Sequence, residues 1–236
     1  MKIEILFPEF CNIYGDYGNI IYLKKCLPEA EFIETSLNEE PQFIKGDVDL
    51  VYMGSMTEKV QEKIIKKLMP YTETIKEQID LEKAFLLTGN SFEIFGRYIE
   101  NEDKSQIEGL GIIDIYSKRE MFNRYNSIFL GEFEGIELVG FKDQFAHQYG
   151  NNSDIFFSKA IRGAGLNRNS KLEGIKIKNF IGTSILGPLL PLNPLFTKYY
   201  LHNILKVENA EIAYEKDAME AYEKRLAEYK DMKRKE

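Results

Sequence analysis

The chain has 236 residues, 44% of them hydrophobic, enough for one large domain or two small ones with a packed core. Its formal net charge of -7 argues against a nucleic-acid partner, which calls for a basic face. No apolar run reaches the ~18 residues of a membrane span, and Glu4 inside the opening apolar run marks a first strand rather than a leader peptide, so a cytoplasmic protein is expected.

Ile3 to Phe7 reads as a buried strand, followed by the turn-rich PEFCNIYGDYGN. Asn19 to Leu27 reads as a helix with Ile20, Leu23 and Leu27 on one face, and Glu31 to Thr35 as a second strand. Asp47 to Met53 is a third strand, closed by Gly54. Ser55-Met56-Thr57-Glu58 has capping-box spacing, and the helix behind it carries Val60, Ile64, Ile65 and Leu68. Pro70 ends that helix, and another covers Thr72 to Glu82. Ala84 to Thr88 is the next strand, turning at Gly89-Asn90 into a helix over Ser91 to Tyr98. Alternating strand and helix predicts a mostly parallel sheet with helices on both faces.

Beyond this point the pattern changes. Gly111 to Asp143 is strand-like, residues 144–174 read as polar loops, and Ile175 to Ile185 as a strand or strand pair. A helix is expected from Asn193 to about Lys206 and a charged helix from Glu208 onward. In the latter, Ile212, Met219, Tyr222, Leu226 and Tyr229 form a narrow apolar stripe, which packs on the chain's own body or docks on a partner.

Ligands of open α/β sheets bind at the carboxyl ends of the strands. Four such places are readable: Pro8 to Gly18, Gly54 to Thr57, Thr88 to Ser91, and Leu186-Gly187-Pro188. Cysteine-histidine chemistry has only Cys11, Cys26, His147 and His202 to draw on, and these form no metal-ligand spacing and no disulfide framework. No metal or cofactor is expected. No phosphate-cradling Gly-x-x-x-x-Gly-Lys run occurs, so nucleotide chemistry would belong to another chain.

Several of these segments carry a family resemblance. Asn12, Tyr14, Gly15, Asp16, Gly18 and Asn19 resemble the loop after the first strand in class I glutamine amidotransferase domains of the cobyric acid synthase type. Within that type, the resemblance extends to the glutaminase subunits of bacterial lipid II isoglutaminyl synthase. DLVYMGSMTEK is similar to the strand that ends in the family's Gly-rich loop, and AFLLTGNSFEIFGRY to its nucleophile elbow. Gly182-Thr183 with Gly187-Pro188-Leu189-Leu190-Pro191-x-Asn193-Pro194 is the most specific match. The resemblance covers residues 1–206, leaving 207–236 as a helical extension. It implies an α/β fold: a three-layer, flavodoxin-like, mostly parallel sheet, here with a charged C-terminal helix.

The resemblance also implies which positions do the chemistry. The family's nucleophilic cysteine falls on Gly89 and its histidine on Leu186, so neither catalytic group is present. The oxyanion loop reads Gly54-Ser55-Met56, and the elbow glutamine is Glu93. Arg124 falls where the family holds the glutamine carboxylate, or else is a surface arginine. Ser91 and Cys11 are the substitute nucleophiles to weigh. Ser91 is read as the N-cap of the next helix and Cys11 as a small buried hydrophobe. His147 is read as a solvated surface residue, and His202 as packing or capping on a late helix.

The resulting expectation is an amidotransferase-like protein that does not hydrolyse glutamine and serves as the partner of an ATP-dependent synthetase, Mur-ligase-like or related. One alternative is a glutaminase subunit supplying ammonia for peptidoglycan-precursor amidation. The other is a small-molecule binder that reuses the vacant pocket, with Gly54, Ser55, Asn90, Ser91, Glu93 and Arg124 around it.

Overall fold

The computed structural model describes residues 1–231; the last five residues of the C-terminal extension lie outside the described residues. The first half alternates β1 (Lys2–Leu6), α1 (Tyr17–Cys26), β2 (Glu31–Thr35), β3 (Leu50–Met53), α2 (Glu58–Leu68), α3 (Thr72–Asp80) and β4 (Ala84–Thr88). There follow β5 (Tyr98–Glu100), β6 (Gln106–Glu108), β7 (Ile115–Arg119), β8 (Tyr125–Phe133), β9 (Ile136–Gln144), β10 (Ala146–Gly150), β11 (Ser158–Arg162), β12 (Leu172–Glu173), β13 (Ile175–Ile177) and β14 (Phe180–Thr183). The chain closes with α4 (Leu189–Leu192), α5 (Pro194–Tyr199) and α6 (Glu215–Lys230).

The fold is α/β. Its central six-stranded sheet has the order β13-β14-β4-β3-β1-β2, parallel throughout except for β13. Because strand side chains alternate, the sheet feeds two separate cores. Ile3, Ile5, Leu50, Tyr52, Ala84 and Leu86 face α1, α4 and α5. Leu6, Val51, Met53, Phe85 and Leu87 face α2 and α3. Strands buried on both sides read as near-continuous apolar runs, as LVYM and the AFLL of β4 show.

Each core is extended by a small four-stranded sheet, with order β10-β7-β5-β6 beside α2 and order β12-β11-β8-β9 beside α5. β8 and β9 form a hairpin whose register runs to Phe133 opposite Ile136. Its two turn residues, Glu134 and Gly135, both have positive φ, the signature of a type I′ turn that matches the strand twist.

Four sequence expectations change. Residues 144–174 contain three strands rather than loops. The buried face of β11 consists of Ser158, Ala160 and Arg162, so no hydrophobic alternation betrays it. Ser91 to Tyr98 is not an α-helix but a 3-10 segment, Gly89–Phe95, followed by β5. The charged helix begins at Glu215, later than expected. Finally, α2 takes its N-cap from Thr57 and carries no capping box, because Ser55 is bonded elsewhere.

The apolar stripe of α6 is used within the chain. Tyr222 packs with Leu130 and Val139 beside Met219, Leu226 and Tyr229. The Tyr222 hydroxyl donates to the Glu137 carbonyl at 2.8 Å, and Ile212 joins the α1-side core.

Candidate functional site

The carboxyl ends of β1, β3, β4 and β14 meet around Asp16, which is only 1% exposed. Its Oδ2 accepts from the Ser55 amide at 2.7 Å, the Ser55 hydroxyl at 2.9 Å and the Thr88 hydroxyl at 2.6 Å; Oδ1 accepts from Asn19 at 3.1 Å. Burial pushes the Asp16 carboxyl up from the usual range, against the hydrogen bonds that hold it down. The Tyr52 hydroxyl adds bonds to the Asp16 carbonyl, Asn19 and Thr88. Asn19 in turn accepts from the Leu190 amide at 2.8 Å.

This knot explains the residue types after β1. Gly15 has φ +77. A Cβ on Gly18 would stand 2.6 Å from Pro188 Cγ, and one on Gly54 would stand 2.4 Å from the Cys11 carbonyl. At Gly18 and Gly54 the close approach leaves no room for a side chain, whereas Gly15 has open space around it and answers to its left-handed backbone.

Beside the knot lies a cleft of about 220 Å³. Its lining includes Ser55, Met56, Gly89, Asn90, Gln61, Glu93, Arg119, Asp143, Gln144, Phe145, Ser184 and Leu186, with Ile13, Tyr14, Thr57, Glu58 and Ala146 beside them. Of the residues singled out from sequence, Ser55, Gly89, Asn90, Glu93 and Leu186 thus share one cavity. Gly54, Ser91 and Arg124 are not among its lining residues. Gly54 is covered by Cys11 and Asp16. Ser91 is fully buried, with its hydroxyl directed at the Thr88 and Met53 carbonyls, and caps no helix. Arg124 lies at the rim, paired with Asp143 through two nitrogens and stacked 5.2 Å from the Phe145 ring.

Gly89 has φ +65, and a Cβ built there would lie 2.4 Å from Ser55 Cβ. Ser55 therefore fills the space a side chain at 89 would need. Two backbone amides of the 54–56 loop are also occupied: Ser55 N–H by Asp16, and Met56 N–H by the Asn90 side-chain oxygen at 3.0 Å. Asn90 completes the clasp by donating to the Met56 carbonyl at 2.8 Å. Leu186 is held against β9 by paired backbone bonds with Phe141.

Glu93 is 4% exposed and accepts from Gln61 at 3.1 Å and Gln148 at 2.7 Å. Burial raises its carboxyl to about 7, opposed by those two amides and by Arg119. Arg119 donates to Gln61 at 3.0 Å and pairs with Glu62 at 2.8 Å. Cys11 is 3% exposed and lies outside the cleft lining; burial, with Glu9 and Asp16 nearby, pushes its thiol upward, opposite to what a nucleophile needs.

His147 is buried rather than solvated, 5.8 Å from the Tyr125 ring, and burial lowers its pKa. His202 is exposed on a π-helical turn, with Nδ1 3.3 Å from the Val207 carbonyl. Among the described residues no group of three or more His, Cys, Asp and Glu is placed to hold a metal, and no helix is long and apolar enough to cross a membrane.

The sequence reading missed Arg119, Gln61 and Gln144. A signal existed for two of them: Arg119 is in phase with buried Ile115 and Ser117 on β7, and Gln61 shares the buried face of α2 with Ile64, Ile65 and Leu68. Gln144, at the end of β9, carried none.

The chain is 29% identical over 197 residues to the subunit GatD of lipid II isoglutaminyl synthase (glutamine-hydrolyzing) from Staphylococcus aureus, a match covering 80% of this chain and 78% of that one. It is 25% identical over 201 residues to the subunit of the same name from Streptococcus pneumoniae, covering 82% and 76%. In fold it is similar to the crystal structure of a glutamine amidotransferase from Thermotoga maritima, with a TM-score of 0.53 over 97% of this chain and 98% of that one at 10% identity. No family model matches the chain. Together with the shared fold, the similarity to both GatD subunits supports a place for this chain among glutamine amidotransferase-like proteins.

Proposed function

We propose that this chain is a glutamine amidotransferase-like subunit that has given up glutamine hydrolysis and acts as the non-hydrolytic partner of an ATP-dependent, Mur-ligase-like synthetase. The observation that carries this reading is the packing of Ser55 into the space beside Gly89, where a Cβ would stand 2.4 Å away. Two other features support it. Leu186 offers no proton-carrying group across the cleft. The two loop amides suited to an oxyanion are already bonded to Asp16 and Asn90. The test is incubation with a glutamine-mimicking diazoketone followed by intact-mass analysis, with S. aureus GatD as the reactive control. No adduct is expected on this chain, and stoichiometric modification of any residue overturns the reading.

A second reading has one observation in its favour: both relatives are named as subunit GatD of lipid II isoglutaminyl synthase (glutamine-hydrolyzing). On it, this chain supplies ammonia for peptidoglycan-precursor amidation from a displaced nucleophile. The two substitutes fit that role poorly, since the Ser91 hydroxyl is buried against two carbonyls and the Cys11 thiol is shielded with its ionisation opposed. Ammonia release in the presence of the synthetase decides between the two readings.

A further inference from the structure

The two glutamines bonded to Glu93 are held in different ways. The Gln61 amide has a fixed sense. Its oxygen accepts from Arg119 Nη2 at 3.0 Å, and its nitrogen donates to the Asn90 carbonyl at 2.9 Å and to Glu93 Oε2 at 3.1 Å. Turned over, it would set its oxygen against a carbonyl and its nitrogen against a guanidinium. Glu93 Oε2 therefore stays an acceptor, and a proton on this carboxyl belongs on Oε1.

Glu93 Oε1 accepts from Gln148 Nε2 at 2.7 Å. The remaining bonds of the Gln148 amide are long: Nε2 is 3.4 Å from the Ala146 carbonyl, and Oε1 is 3.3 Å from Gln144 Nε2. Gln144 is held as loosely, with Nε2 3.3 Å from the same carbonyl. Its Oε1 is buried and has no partner among the described residues. A carboxamide has nearly the same outline with either end forward, so these two can turn over without repacking their neighbours.

We propose that Glu93, Gln148 and Gln144 form a proton-gated relay in the wall of the cleft. With Glu93 ionised, Gln148 donates to Oε1. With Glu93 protonated on Oε1, the Gln148 amide turns over, its oxygen accepts the carboxyl proton, and its nitrogen faces Gln144. Two NH₂ groups cannot face one another, so Gln144 turns as well and accepts through Oε1, which then has a donor. Glu93 and Gln144 both line the cleft, so one proton changes the wall of the site itself.

The surroundings place this exchange near neutral pH. Burial favours the neutral acid, and Glu58 on α2 adds to it. The Gln61 amide, Arg119 on β7 and the Gln148 amide favour the anion, with Arg119 itself neutralised by Glu62 at 2.8 Å. The relay is independent of whether glutamine is hydrolysed, since every readout is of the free protein.

The experiment follows Glu93 Cδ by NMR in the full, glutamate-¹³C-labelled chain, from about pH 5 to 9. The midpoint is expected at about 7. A donor of fixed sense stabilises only the anion, whereas a reversible amide serves both forms. Gln61→Met should therefore raise the midpoint by about one pH unit or more, and Gln148→Met should leave it within roughly half a unit of wild type. Neutron diffraction of the wild-type protein, which distinguishes nitrogen from oxygen, serves if a variant does not fold. At acidic pD it should show a deuteron on Glu93 Oε1 facing the Gln148 oxygen, and at basic pD the Gln148 nitrogen facing a bare carboxylate. Gln148→Met raising the midpoint as much as Gln61→Met, or one orientation of Gln148 at both pD values, overturns the proposal.

Discussion

At the scale of single residues, the cleft is decided by two side chains: one absent at Gly89 and one present at Ser55. Gly89→Ala should destabilise the protein by about 2 kcal/mol or more, since it combines a left-handed backbone with a direct clash. In a Ser55→Gly background the clash disappears and only the backbone strain remains, about 1 kcal/mol. Urea unfolding of the four proteins of this cycle should give a coupling above ~0.5 kcal/mol; additive effects would show that Ser55 does not occupy the space. Glu93 makes a second prediction. Its folded carboxyl, at about 7, lies above the 4.5 ordinary for a glutamate, so the folded state holds a proton that the unfolded state releases. Stability from this residue is therefore greatest below about pH 4.5 and falls as pH rises towards 7, by about 3 kcal/mol in all. Glu93→Gln, which mimics the neutral acid, should flatten this part of the stability-pH profile; an unchanged slope between pH 5 and 7 would refute it. Of these residues, Gly89 and Leu186 were legible because the flanking text aligned them. Asp16 was legible as a motif member but not as the acceptor at the centre of the knot, since its donors come from positions 19, 55 and 88. Only the fold brings them together.

At the scale of elements, the sheet was easier to read than the outer strands. Strands buried on both faces are largely apolar runs bounded by turns, so β3 and β4 stood out, and β1 did so despite the buried Glu4 within it. β10 and β11 place His147, Gln148, Ser158 and Arg162 inside, and a polar interior hides the period of two. The stripe on α6 was visible, and the structure answers where it packs. Tyr222→Ala should therefore cost about 3 kcal/mol in urea unfolding, whereas Tyr222→Phe, which loses only the bond to the Glu137 carbonyl, should cost about 1 kcal/mol. Equal, negligible effects would mean that the helix contributes nothing to the body it lies on.

At the scale of the whole molecule, an amidotransferase-type scaffold surrounds a cleft whose parts are bonded to one another. Asp16 and Asn90 take the loop amides, Ser55 takes the elbow space, and Arg124 and Asp143 take each other. On the proposed reading, Gly89→Cys leaves the other contacts in place, so this change alone should produce no glutaminase. The most direct measurement of the central claim is ammonium release from amide-¹⁵N glutamine, followed by NMR with the purified chain alone and with a Mur-ligase-like synthetase and ATP. The account predicts no release above the protein-free control under either condition. Release in the presence of the synthetase at a rate like that of S. aureus GatD would contradict it.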